Sequence, residues 1–191
     1  MTKKDQSNLR ILLTTSRNPS RRTRTLIKDL AHVIPKATRI SRGTKNLYEL
    51  AAEALASRNT LLVVVSTRKG NPGTISFFRV TEQGYFQLPL ELSLKGVKLR
   101  YEITRQRMPR GDALLILPIS SLSPRGRRFC EMLSEFLEAP LIEGPQSAGT
   151  SSTIMKIEES NNIIRLTFTR GVLDKDVGPQ LRGTVKLLER L

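Results

Sequence analysis

One arrangement occurs twice in this chain. From Ile11 to Ser41, ILLTTSRNPSRRTRTLIKDLAHVIPKATRIS runs from an apolar strand through a basic turn into an amphipathic helix and a short strand. From Asp112 to Gly144, DALLILPISSLSPRGRRFCEMLSEFLEAPLIEG does the same about a hundred residues later. Pro19 falls against Pro124, and Leu26 and Leu30 fall against Phe129 and Leu133 with a slip of one or two residues. A strand-helix-strand unit cannot bury its apolar face alone. Two such units therefore constrain the chain to an α/β (α+β) fold of two similar halves sharing a core. Any two such units look broadly alike; duplication is the preferred reading.

The remaining segments fill in each half. Asn18 reads as an N-cap with Pro19 at the first helical position. Leu26, Ile27, Leu30, Val33 and Ile34 keep helical spacing until Pro35 ends it. ATRIS is a strand candidate, and TKNLYELAAEALASRN a second helix that Asn46 and Glu49 open with a capping-box pattern. TLLVVVST is suited to a sheet centre, and RKGNPG breaks it. TISFFRV, YFQLPLEL and KLRYEI follow as strands, with TEQG a hairpin turn. In the second copy PQSAGTSS is a loop in place of the second helix, and TIMKIEE and IIRLTFT form a hairpin across SNN. GPQLRGTVKLL reads as extended, with a helix as the alternative. The expected organisation is a flexible tail over residues 1–8 and one domain over 9–191, with halves 9–111 and 112–191.

Charge separates those halves. The formal net charge is +15. Residues 1–111 hold 22 Lys and Arg against 7 Asp and Glu, while residues 112–191 hold 10 against 10. A basic half joined to a neutral one points to a polyanionic partner on one side, nucleic acid first. No stretch approaches the roughly 18 apolar residues of a spanning helix. No secretory signal is read at the N-terminus, and no amphipathic membrane-surface helix is seen. An intracellular protein with no membrane partner is expected.

Little in the composition favours catalysis. Cys130 and His32 are the only residues of their kinds. Cys130 lies among apolar residues and reads as a buried hydrophobe. His32 lies near a helix end with no His or Cys partner nearby. No P-loop or dinucleotide motif occurs. No enzyme activity, metal or cofactor is expected.

The arginines of the first copy are harder to explain locally. Acidic residues normally occupy a helix's first turn, and a basic one is locally unfavourable. Phosphate at the free N–H groups would offset that, and arginine forks match its oxygens. Arg21, Arg24 and Lys28 share one face, turned away from Leu26, Leu30 and Val33. From Arg10 to Arg42 the only acid is Asp29. Arg17, Asn18, Arg21, Arg22, Arg24 and Lys28 are thus candidate RNA-binding residues. Arg39, Arg42, Lys45, Arg68, Lys69 and Asn71, in loops able to flank the same surface, extend the track. Aromatic residues are only 5% with no Trp, and Phe77 and Phe78 both read as core. Recognition of RNA backbone and shape is expected more than base stacking.

TTSRNPSRRTR, RISRGTKNLYEL, RKGNPG and the late DVGPQLRGTVKL together resemble the Brix family of ribosome-biogenesis proteins, in the short archaeal form closest to its small-subunit-processome branch. The resemblance runs from about Leu9 to Leu188; it departs at Gln180, where the family usually has arginine after Gly-Pro. It implies two halves, each similar to the anticodon-binding domain of class II aminoacyl-tRNA synthetases. It implies binding to ribosomal-RNA precursor during small-subunit assembly, without catalysis. The location it implies is an archaeal cytoplasm, or the nucleolus in a eukaryote. Assembly proteins would meet the neutral half. The alternative is a protein-docking scaffold within a ribonucleoprotein, with RNA contact secondary.

Overall fold

Strand β1 (Ile11–Thr15) is buried along its whole length, as its unbroken apolar run requires of a strand covered on both faces. The computed structural model describes residues 10–106, 109–119 and 121–188; the tail expected over residues 1–8 lies outside them. Helix α1 (Arg21–Val33) leads from β1 to β2 (Ala37–Arg39), and α2 (Leu47–Ala56) leads on to β3 (Leu61–Arg68). Both β2 and β3 pair with β1 in parallel, one on each side. The helices cover opposite faces. Leu26, Leu30 and Val33 of α1 join the large core, while Leu50, Ala51 and Ala54 of α2 pack with Leu12, Leu62, Val64 and Phe78. Alternation along the strands divides neighbours between the faces, so Phe77 and Phe78 are both buried, in different clusters.

Beyond β3 the sheet turns antiparallel through β4 (Asn71–Thr81) and β5 (Gly84–Lys98), which leads to the single helical turn α3 (Arg100–Ile103). The second half repeats this plan. Strand β6 (Leu114–Pro118), helix α4 (Pro124–Leu137), β7 (Thr153–Ser160) and β8 (Ile163–Arg170) precede the two-residue β9 (Lys175–Asp176) and β10 (Gln180–Leu187). β6 pairs with β7 in parallel, and β7–β8 and β8–β10 are antiparallel, as are β3–β4 and β4–β5. β10 then pairs with β5, giving one continuous order, β2-β1-β3-β4-β5-β10-β8-β7-β6, with β9 beside β8. The expected pair of similar halves sharing a core is what is found. Phe77 of the first half and Phe136 of the second lie 6.1 Å apart, ring to ring.

Several local expectations are corrected. Asn18 is not the N-cap: its φ is +51°, a left-handed turn, whereas Ser20 is extended and its side chain accepts from Thr23 N–H. With Ser20 set against the Ser123 cap of α4, Leu26 meets Phe129 and Leu30 meets Leu133 with no slip, and Arg21 rather than Pro19 opposes Pro124. The RKGNPG turn shrinks to Lys69 and Gly70, both at positive φ, because Arg68 already pairs with Asn71. YFQLPLEL and the start of KLRYEI are one strand, with Pro89 beside a register shift that excuses its missing N–H; Arg100–Ile103 is helical. The short strand expected after α4 is a single bridge, Leu141 to Ile116. GPQLRGTVKLL is extended, as preferred.

Candidate nucleic-acid interface

In an open α/β sheet, ligands bind outside the carboxyl ends of parallel strands where the strand order reverses. Here β1 lies between β2 and β3, so that place is at the ends of β1 and β3. Because the three strands are parallel, the chain leaves all of them on one edge of the sheet. The sequence put its basic loops at those three exits.

Hydroxyl groups build the floor of this crevice. Ser16 N–H donates to Val65 O at 2.9 Å, and Thr67 N–H donates to Ser16 Oγ at 3.3 Å. Ser20 N–H donates to Thr67 Oγ1 at 3.2 Å, and the Thr23 and Thr67 hydroxyls lie 2.8 Å apart. The start of α1 is therefore fixed to β3 by neutral groups, with no acidic residue in its first turn.

Cations surround that floor. Arg17 and Asn18 are exposed in the β1–α1 loop, and Arg21, Arg24 and Lys28 are exposed down the outer face of α1. Arg24 donates to Pro19 O at 2.8 Å, which holds it beside the loop. Half-buried Arg42 donates from Nε to Lys45 O at 3.0 Å and from Nη1 to Thr15 O at 3.4 Å, stapling the β2–α2 loop over the end of β1. Burial and then the charge of Arg17 lower the pKa of Arg42, so two guanidinium groups repel each other here. Arg39 is exposed at the end of β2; Arg68, Lys69 and Asn71 are exposed at the β3–β4 hairpin tip, where Asn71 Nδ2 donates to Lys69 O at 3.4 Å.

Two of the candidates are held in ion pairs. Arg22 forms a two-pronged pair with Glu102 at 2.8 and 3.0 Å and also donates to Val97 O at 3.1 Å. Lys45 pairs with Glu53 at 2.5 Å. Arg17, Arg21, Arg24, Lys28, Arg39, Arg42, Arg68 and Lys69 form no ion pair among the described residues.

The second half shows what a balanced version looks like. Ser123 caps α4, and its N–H and hydroxyl donate to the Glu159 carboxylate at 2.7 and 2.8 Å. Glu159 stands on β7 where Thr67 stands on β3, two residues beyond the partner of each half's first strand. Gly126 makes room, since a Cβ there would sit 2.3 Å from Glu159 Oε2; its first-half counterpart is Thr23. One helix start holds an internal anion, and the other holds a hydroxyl network ringed by arginine. Sequence reasoning missed Ser16, Ser20, Thr23, Thr67 and Glu159. The hydroxyl-rich strand ends TTS and STR were the available signal.

Fold and site together define a class: a pseudo-symmetric α/β protein with an uncompensated cationic edge on one half. A probable Brix domain-containing ribosomal biogenesis protein of Methanopyrus kandleri is 34% identical over 178 residues, 88% of this chain and 90% of that protein. One of the same description from Aeropyrum pernix is 32% identical over 179 residues, 89% of this chain and 92% of that protein. The chain belongs to the Brix-domain family of ribosomal biogenesis proteins. The crystal structure of a probable ribosomal biogenesis protein from Aeropyrum pernix K1 matches with a TM-score of 0.79 at 32% identity, covering 96% of this chain and 98% of that one. An archaeal Imp4-like protein shares the fold, with a TM-score of 0.60 at 22% identity over 92% of this chain and 99% of that one. No family model matches the chain.

Proposed function

We propose that this protein is a non-catalytic ribosome-biogenesis factor that binds ribosomal-RNA precursor and acts in small-subunit assembly. The observation that carries the reading is the unpaired cationic edge of Arg17, Arg21, Arg24, Lys28, Arg39, Arg42, Arg68 and Lys69 around the ends of β1 and β3. Phosphates of a polyanion would satisfy groups that the fold leaves uncompensated. The family description supports ribosome biogenesis as the setting. Buried Cys130 has its thiol pKa pushed up to about 12, chiefly by desolvation, which makes it a poor nucleophile. Among the described residues no three His, Cys, Asp or Glu come together as metal ligands, and no helix is long and apolar enough to cross a membrane. In this reading the neutral half is left for assembly proteins.

The test is a salt titration of binding to small-subunit rRNA fragments, tRNA and duplex DNA. If about five phosphates are neutralised, log K falls against log salt with a slope of roughly −3.5 to −4.5. The double variant Arg21→Ala/Arg24→Ala flattens that slope by about one unit or more. An unchanged slope removes α1 from the interface. Equal weak binding to all three nucleic acids favours the scaffold reading, in which a protein partner supplies specificity.

A further inference from the structure

A second feature lies beyond the basic edge. A cleft of about 620 Å³ opens between the outer side of α1, the edge strand β2 and the turn α3. Its lining includes Lys28, His32, Thr38, Arg39, Arg100 and Tyr101. That size falls in the roughly 300–1,000 Å³ range of small-molecule sites. Lys28 is both the last member of the α1 stripe and a wall of this cleft, so the two features are continuous. Neither Lys28 nor Arg39 forms an ion pair among the described residues.

Tyr101 is the unusual member. It is 58% exposed, on a turn only four residues long. Yet that turn is held from both sides. Glu102 takes the fork of Arg22 and also accepts from Leu99 N–H at 2.7 Å, while Arg100 N–H donates to buried Asp29 at 2.9 Å. Both clamps come from α1, so the ring is presented on a fixed support beside a cationic wall. An exposed aromatic set along a cationic groove is the combination that receives unpaired bases and their phosphates.

We propose that this cleft binds one unpaired nucleotide of the RNA, its base stacked on Tyr101 and its phosphate met by Lys28 and Arg39. The proposal rests on the RNA-binding reading and adds a preference for RNA with a bulged or looped-out residue. It departs from the sequence-based expectation of backbone and shape recognition more than base stacking, because KLRYEI read as a strand and only the helical turn places Tyr101 outside the core.

The test compares three probes: an RNA hairpin carrying one bulged 2-aminopurine, the same hairpin fully paired, and free adenosine monophosphate. With the full chain, the bulged hairpin binds more tightly than the paired one, and its 2-aminopurine fluorescence is quenched. Tyr101→Ala abolishes the quench and weakens bulged binding by about 5- to 150-fold, the range that one base-aromatic stack carries. It leaves paired binding unchanged, and Tyr101→Phe, which keeps the ring, retains wild-type behaviour. Wild-type affinity of Tyr101→Ala for the bulged hairpin overturns the cleft assignment while leaving the RNA reading intact. Binding of free adenosine monophosphate as tight as that of the bulged hairpin assigns the cleft to a free nucleotide and overturns the RNA source. Failure of the wild type to bind either hairpin overturns the RNA reading itself, and this proposal with it.

Discussion

Asp29 is the only acid between Arg10 and Arg42, and it is spent inside the molecule. Burial raises its pKa above the ordinary aspartate value of 3.8, against the opposing hydrogen bond from Arg100 N–H. A carboxyl whose folded pKa is raised binds its proton more tightly in the native state. Its effect on stability therefore worsens as pH rises from about 3.8 through the folded value. Asp29→Asn keeps an acceptor for Arg100 N–H and removes the buried charge. The variant is expected to be at least as stable as the wild type at pH 7, with that advantage gone at pH 3, by urea unfolding at each pH. Glu102 carries the opposite sign. Arg22 lowers its pKa, so its contribution is present above the ordinary glutamate value of 4.5 and lost as pH falls through the folded one. The sequence showed Asp29 as a lone acid in a basic region but not its burial, because its partner is 71 residues away.

At the scale of elements, the contrast between the starts of α1 and α4 makes the cationic edge testable without removing a single arginine. The Thr67 hydroxyl stands where Glu159 stands in the other half, and Thr23 stands where Gly126 gives that carboxylate room. The double variant Thr23→Gly/Thr67→Glu would build the second half's internal anion into the first. The helix start would then be neutralised from within. RNA affinity is expected to fall by about tenfold or more at low salt, with the salt slope reduced by about one unit, in the titration used for the arginine variant. Wild-type affinity in a folded double variant would mean that phosphate does not approach this helix start. Helices α1 and α2 were legible because apolar spacing is a local signal; Asn46 and Glu49 do form the expected capping box of α2, whereas the cap expected at Asn18 for α1 falls at Ser20, because Asn18 is taken up by a left-handed turn. Turn α3 was not, since four residues carry no period and its shape depends on Glu102 reaching back to Leu99. The unpaired arginines could be named from the sequence, but the withdrawal of Arg22 could not, because Glu102 is 80 residues away and only the fold brings it near.

At the scale of the whole molecule, the repeat was visible as two similar segments, while the seam joining them was not. That seam is the antiparallel pairing of β5 with β10, the last strand of each half. Its register shifts between Arg182 and Gly183, and a Cβ on Gly183 would lie 2.5 Å from the Ser93 carbonyl oxygen. Such an approach between backbones leaves no side chain to move aside. Beneath the seam, one apolar cluster takes residues from α1, α4 and strands of both halves, so neither half owns a complete core. We therefore expect residues 10–188 to unfold as one cooperative unit, and the chain carries a probe for each half. All three tyrosines, Tyr48, Tyr85 and Tyr101, lie in the basic half, and the only cysteine, buried Cys130, lies in the other. Tyrosine fluorescence and Cys130 reactivity toward a thiol reagent, followed through one urea series, should share a midpoint. Gly183→Ala should shift both to lower urea together, by about 1–3 kcal/mol of stability, because overpacking at the seam weakens each half's hold on the other. Exposure of Cys130 at a urea concentration where the tyrosine signal is still native would show that the halves are held separately and that the seam is only a contact between them.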